Sequence, residues 1–160
     1  MKNKKILQII LIILIICVFG AIFKFSSQQS EQSEGLSRKI SGAIISIEPD
    51  NKKLNQQQYE NILAKVDCVI RKIAHFSIYT ILGIVLISLF ITVKLDQDKS
   101  IMITVVIGIL YAMSDEIHQN FVDGRSPMVT DVMIDTAGVM FGICIILGIL
   151  KIIKAKKNKL

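Results

Sequence analysis

Residues 101–121 read IMITVVIGILYAMSDEIHQNF, and the fold turns on how that stretch is understood. No charge occurs from Ile101 through Ser114, and then Asp115, Glu116 and His118 follow within four residues. At 1.5 Å per helical residue, Asp115 stands about 21 Å from Ile101. That is still inside a hydrocarbon layer about 30 Å thick. Working outward, three other apolar runs of similar length flank this one. They lie at about 6–25, 73–93 and 128–150. Each is long enough to cross a bilayer as a helix. The expectation is an all-α integral membrane protein of about four transmembrane helices, one domain over 1–160. An outer segment, 26–72, separates the first helix from the second.

Composition agrees with that expectation. The 160 residues are 52% hydrophobic and only 20% charged, and the charges avoid the four runs. Mean hydropathy is +0.56, high for a water-soluble domain. A net charge of +6 would suit nucleic acid, but the lysines flank apolar runs and there is no Trp for base stacking. Membrane topology accounts for them better. Cys17, Cys68 and Cys144 suggest no disulfide framework. Residues 6–23 exceed a typical signal-peptide core, and no small-x-small site follows them. The first run is therefore read as a retained helix.

Lysine placement sets the expected orientation. Lys2, Lys4 and Lys5 precede the first run, Lys94 and Lys99 bracket the second connection, and five lysines from Lys151 to Lys159 follow the fourth. Four spans put all three groups on one side, the cytoplasm. In the outer segment, Leu36, Ile40, Ala43, Ile44 and Ile47 repeat at helical spacing, which fits a short interfacial amphipathic helix. Pro49-Asp50-Asn51 interrupts it, and Tyr59, Ile62, Leu63, Val66 and Ile70 then lead into the second span.

On this topology the polar motifs meet at the outer ends of the helices. Arg71, Lys72, His75 and Tyr79 stand at the start of the second, and Lys72, His75 and Tyr79 share a face. At the end of the third, Asp115, His118 and Gln119 share a face, with Glu116 about 100° round from Asp115. A turn through Asp123-Gly124-Arg125 leads to Asp131 and Asp135, one turn apart in the fourth. Carboxylates at this depth cost at least a few kcal/mol unless paired or wetted, so these faces are expected to pack together.

Ionisable groups inside a membrane point to a functional site. His75, Asp115, Glu116 and His118 are the acid–base candidates. Arg71, Lys72, Tyr79, Gln119, Arg125, Asp131 and Asp135 are the ligand-binding candidates. Two His and several acids can also hold a divalent metal, although no fixed ligand spacing such as HExxH occurs. Whether a metal or any other cofactor is bound stays unknown from the sequence. Ser77 and Ser114 lie near the cluster, but helix serines usually bond a backbone carbonyl. A buried ion network that sets helix register is the structural alternative. Gly138-x-x-x-Gly142 and Gly108-x-x-x-Ala112 are small-residue pairs that permit close helix contact.

The motifs together resemble the VanZ-like family of bacterial membrane proteins. The resemblance rests on Ser26-Ser27-Gln28, on Arg71-Lys72-Ile73-Ala74-His75-Phe76 with Tyr79 and Gly83, and on Asp115-Glu116-Ile117-His118-Gln119. It continues through Gly124-Arg125 and Asp131 with Asp135 and Gly138. Many relatives are expected to carry Asn where this chain has Asp135. The resemblance implies the bacterial cytoplasmic membrane and a role in the cell envelope, including glycopeptide (teicoplanin) resistance, without implying a reaction. Three readings follow. The first is a polar outer-leaflet site for a lipid-linked cell-wall precursor or a lipidated glycopeptide. The second is an enzyme acting on a lipid or glycan head group, with Arg125 holding an anion. The third is a small oligomeric transporter. Membrane lipids are partners in every case. Nucleic acid is a partner in none, and the oligomeric state stays open.

Overall fold

A computed structural model describes residues 2–27, 55–122 and 127–158. The expected amphipathic stretch at 36–47, its Pro49 break and Arg125 lie outside the described residues. Four helices follow one another: α1, Lys2–Ser26; α2, Gln56–Thr92; α3, Gln97–Gln119; and α4, Val129–Lys157. All four are long and apolar enough to cross a membrane, and no strand occurs among the described residues. The all-α membrane fold expected from the sequence is the fold observed.

Two helices are longer than a span needs. The 37 residues of α2 measure about 55 Å against a hydrocarbon layer of about 30 Å. The periodic stretch from Tyr59 to Ile70 and the second apolar run are therefore one uninterrupted helix. Its start is secured by a capping box. Asn55 Oδ1 accepts the Gln58 N–H at 2.8 Å, and Gln58 Oε1 accepts the Asn55 N–H at 3.1 Å. α4 has 29 residues, the last of which carry exposed lysines beyond the apolar run.

Packing follows membrane logic, with small and polar residues inside and large apolar ones outside. On α3 the buried stripe is Ser100, Thr104, Gly108, Ala112, Asp115 and Gln119, while Met102, Val106, Leu110, Met113 and Ile117 are exposed. On α1 only Leu11, Ile22 and Ser26 are buried. Tyr79, Leu82, Leu86, Ile87, Val139 and Ile143 of α2 and α4 form most of the apolar core, joined by Ile22 and Ala112.

The α2–α4 contact is backbone against backbone. A Cβ on Gly138 would sit 2.5 Å from the Phe76 carbonyl oxygen, and one on Gly142 would run into the Thr80 carbonyl oxygen and, at 2.9 Å, the Ile84 nitrogen. Only glycine permits that approach. It sets α4 against the α2 turns that carry His75 and Tyr79. α1 is tied on by the Tyr111 hydroxyl, which donates to the Phe19 carbonyl at 2.8 Å, and by Gln8, whose side chain donates to the Thr92 carbonyl at 3.2 Å. The result has two unlike ends. The helix starts and ends bearing Lys4, Lys5, Lys94, Lys99 and Lys151 lie at one, and Ser26, Asp115 and Asp131 lie at the other.

Candidate functional site

The polar end is assembled from all four helices. Ser26, the last residue of α1, is fully buried. Its hydroxyl donates to Asp115 Oδ2 at 2.6 Å, and the Gln119 amide donates to the same oxygen at 3.1 Å. Gln119 reaches Asp115 because the two are one turn apart on the inward stripe of α3. His118 faces α1 instead. Its ring stacks on Phe23 with centroids 4.6 Å apart, and its Nε2 is hydrogen-bonded to the Ser27 hydroxyl at 3.0 Å.

Glu116 lies off the Asp115–Gln119 face, as the helical spacing requires, yet it is buried. Its Oε2 accepts the backbone N–H of Met128 at 2.7 Å. Met128 is the N-cap residue of α4 and contributes no capping side chain of its own. A carboxylate from α3 thus satisfies one of the amide groups that a helix start leaves open, and it lies near the positive end of that helix.

Facing them, α2 presents a ladder of bases. Arg71 turns back along its own helix to Asp67, 3.5 Å away. Lys72 forms an ion pair and hydrogen bond with Asp131 of α4. His75 Nδ1 lies 3.8 Å from Asp135 Oδ1, an ion-pair distance longer than a hydrogen bond. His75, Asp115 and Asp135 each offer a ligand atom within 4.8 Å of the other two. Among the described residues, Asp67 has Arg71 and Asp131 has Lys72; Asp115 and Asp135 lie beside the imidazole of His75, and Glu116 lies at the start of α4.

Asp135 and Tyr79 are fully buried. Among the described residues, neither carboxylate oxygen of Asp135 has a hydrogen-bond partner, and neither does the Tyr79 hydroxyl. Buried polar groups are satisfied in the great majority of cases, so two such side chains at one point are unusual. Lys72, Asp131 and His75 are half-buried and border this point, so it has an edge open toward the surroundings of the bundle. Of the nearby serines, Ser77 donates to the Ile73 carbonyl at 2.7 Å and is thereby occupied.

Nearly all the residues singled out from the sequence therefore gather at one end, in three groups. His75, Asp115 and Asp135 form the centre with Tyr79 beside them, and Gln119 supports Asp115. Lys72–Asp131 and Arg71–Asp67 form the rim toward the start of α2. His118 sits apart from the centre against α1. Sequence reasoning passed over Asp67, although its i,i+4 spacing to Arg71 was visible. It also gave Ser26 and Ser27 no role in the site, and no local signal assigns a helix-terminal serine to an aspartate 89 residues away.

Comparison with curated proteins and with solved structures gave no match. The model of the VanZ/LLP1 family matches residues 11–152, from within α1 to within the last turns of α4. The match takes in every residue of the polar end just described, and the chain belongs to that VanZ-like family.

Proposed function

We propose that this VanZ-like protein of the bacterial cell envelope binds the polar head of a lipid-linked or lipidated molecule at the outer leaflet, and by doing so lowers the effect of glycopeptides such as teicoplanin. One observation carries the reading: Asp135 and Tyr79 are fully buried at the polar end without a hydrogen-bond partner among the described residues. A head group with hydroxyl or amino donors would satisfy Asp135, and Tyr79 can donate to a head-group oxygen. The half-buried Lys72, His75 and Asp131 supply charged contacts at the edge. The many large apolar side chains exposed on all four helices provide the surface along which a lipid tail would lie. With the lysine end in the cytoplasm, the site opens at the outer leaflet, where lipid-linked cell-wall precursors and lipidated glycopeptides are met.

A second reading has its own support. His75 stands 3.8 Å from Asp135, a juxtaposition suited to acid–base chemistry on a head group once a substrate tightens it. Both readings are tested in a teicoplanin-susceptible bacterium expressing the wild type, Asp135→Asn or Tyr79→Phe. Membrane abundance, drug susceptibility and the lipid profile are read together. The binding reading expects normal abundance, loss of protection in the variants and lipid enrichment with purified wild type only. Protection that is the same in all three strains would end it. A new lipid or glycan product in the wild type alone would move the assignment to the enzyme.

A further inference from the structure

We propose that His75, Asp115 and Asp135 hold a divalent transition-metal ion, a role that rests on the reading of the polar end as a ligand site and adds to it the cofactor. The donors come from three helices: His75 from α2, Asp115 from α3 and Asp135 from α4. Their ligand atoms all lie within 4.8 Å of one another. An ion bound at about 2.1 Å keeps its ligands roughly 3–4 Å apart, so a small inward rotation of side chains completes the site.

Three observations besides proximity point to a cation. The first is the carboxylate of Asp135: it is fully buried, and neither of its oxygens has a hydrogen-bond partner among the described residues. Coordination supplies what hydrogen bonding does not. The second is charge. Lys72 and Arg71 are spent on Asp131 and Asp67. A dication would offset the two carboxylates of Asp115 and Asp135 around a neutral imidazole, while Glu116 has its own partner in the Met128 N–H at the positive end of α4. The third is the support around Asp115. The Ser26 hydroxyl and the Gln119 amide both bond its Oδ2. They fix the carboxylate's orientation while leaving Oδ1 for the ion, the arrangement in which outer groups hold a metal ligand in place.

The donor set also narrows the metal. One imidazole and two carboxylates suit manganese, iron or zinc better than a soft metal that prefers thiolates. Cys17, Cys68 and Cys144 are exposed and take no part. Three protein ligands leave coordination positions open, as in sites that also bind water or a substrate oxygen. The Tyr79 hydroxyl, buried without a hydrogen-bond partner among the described residues, is a donor for whatever occupies them.

The test uses the full-length protein in detergent, stripped with a chelator and freed of lipid. Manganese(II) is titrated in and the free ion counted by electron paramagnetic resonance, with zinc as competitor. Saturable binding of one ion per chain is expected, with affinity lowered about ten-fold or more in Asp135→Asn and in His75→Gln. Electron spin-echo modulation from a coordinated nitrogen should be present in the wild type, persist in His118→Gln and vanish in His75→Gln. The absence of saturable binding, or affinity unchanged in both ligand variants, overturns the proposal. Should those variants fail to fold, the wild type and His118→Gln decide. Nitrogen modulation in both sustains the site, and its loss in either overturns it. Ion binding without lipid enrichment would leave the metal and remove the head-group reading, and lipid enrichment without ion binding would do the reverse.

Discussion

Asp115 receives two hydrogen bonds on one oxygen, from a serine that ends α1 and from a glutamine one turn along its own helix. The Ser26 bond is buried and reaches a carboxylate, so its removal leaves a poorly solvated acceptor. Ser26→Ala is expected to destabilise the detergent-solubilised protein by about 1–2 kcal/mol. A thermal unfolding midpoint unmoved by the substitution would show that Gln119 alone suffices. Tyr79 gives the opposite expectation. Its hydroxyl is buried and has no hydrogen-bond partner among the described residues. Losing it should therefore leave stability unchanged or raise it by about 1 kcal/mol at most, since no internal bond is broken. The same Tyr79→Phe protein should retain less co-purified lipid. A lower melting point with lipid retention intact would make the hydroxyl structural and remove it from the site.

At the level of elements, the α2–α4 contact and the α2–α3 connection make separate demands on sequence. Gly142 lies against the Thr80 carbonyl oxygen and the Ile84 nitrogen, neither of which can move without unwinding α2. Gly142→Ala should cost about 1–3 kcal/mol through overpacking. Gly148 has nothing within 4 Å, so Gly148→Ala should melt with the wild type. Equal melting of the two variants would mean that the helices are not in backbone contact. At the far end of α2, Lys94 adopts φ 64°. The Leu95 N–H bonds the Phe90 carbonyl at 3.1 Å and the Lys94 N–H bonds that of Ile91 at 3.0 Å, the paired bonds of a Schellman ending whose left-handed residue is usually glycine. Lys94→Gly relieves that strain and should raise stability by about 1 kcal/mol. A destabilised variant would indicate that the lysine side chain contributes more than its backbone costs.

For the whole molecule, the four helices place both termini at the lysine end and the charged cluster at the other. Because the lysines adjoin the ends of the spans, the lysine end is expected in the cytoplasm. A fluorescent protein fused after Leu160 should glow and an alkaline phosphatase fused there should stay inactive. With Cys17, Cys68 and Cys144 replaced by serine, a cysteine placed at Gln57, near the exposed start of α2, should react with a membrane-impermeant reagent applied to intact cells. Active phosphatase or an unlabelled Gln57 position would invert the molecule and put the site at the inner leaflet. The 37-residue α2 also means that about 25 Å of helix rises beyond the hydrocarbon layer on the site's side. That is enough to carry Asp67 and the Arg71 rim above the centre formed by His75, Asp115 and Asp135.

Helix number, approximate span positions and the gathering of charges at one end were determined by the sequence itself. Those features depend on local quantities: the length of an apolar run, the placement of lysines, and 3.6-residue spacing. The helical spacing from Tyr59 to Ile70 already led toward the second span, and the structure joins the two in one helix that starts at a capping box on Asn55. Which charges pair was decided by tertiary structure. His75 meets Asp135 rather than the His118 turn, Glu116 caps another helix, and Ser26 supports Asp115, because glycine contacts fix how α4 leans on α2 and α3 and the Tyr111–Phe19 hydrogen bond holds α1 on α3. Such pairings depend on distances between residues scores of positions apart, and periodicity along one helix contains no information about them.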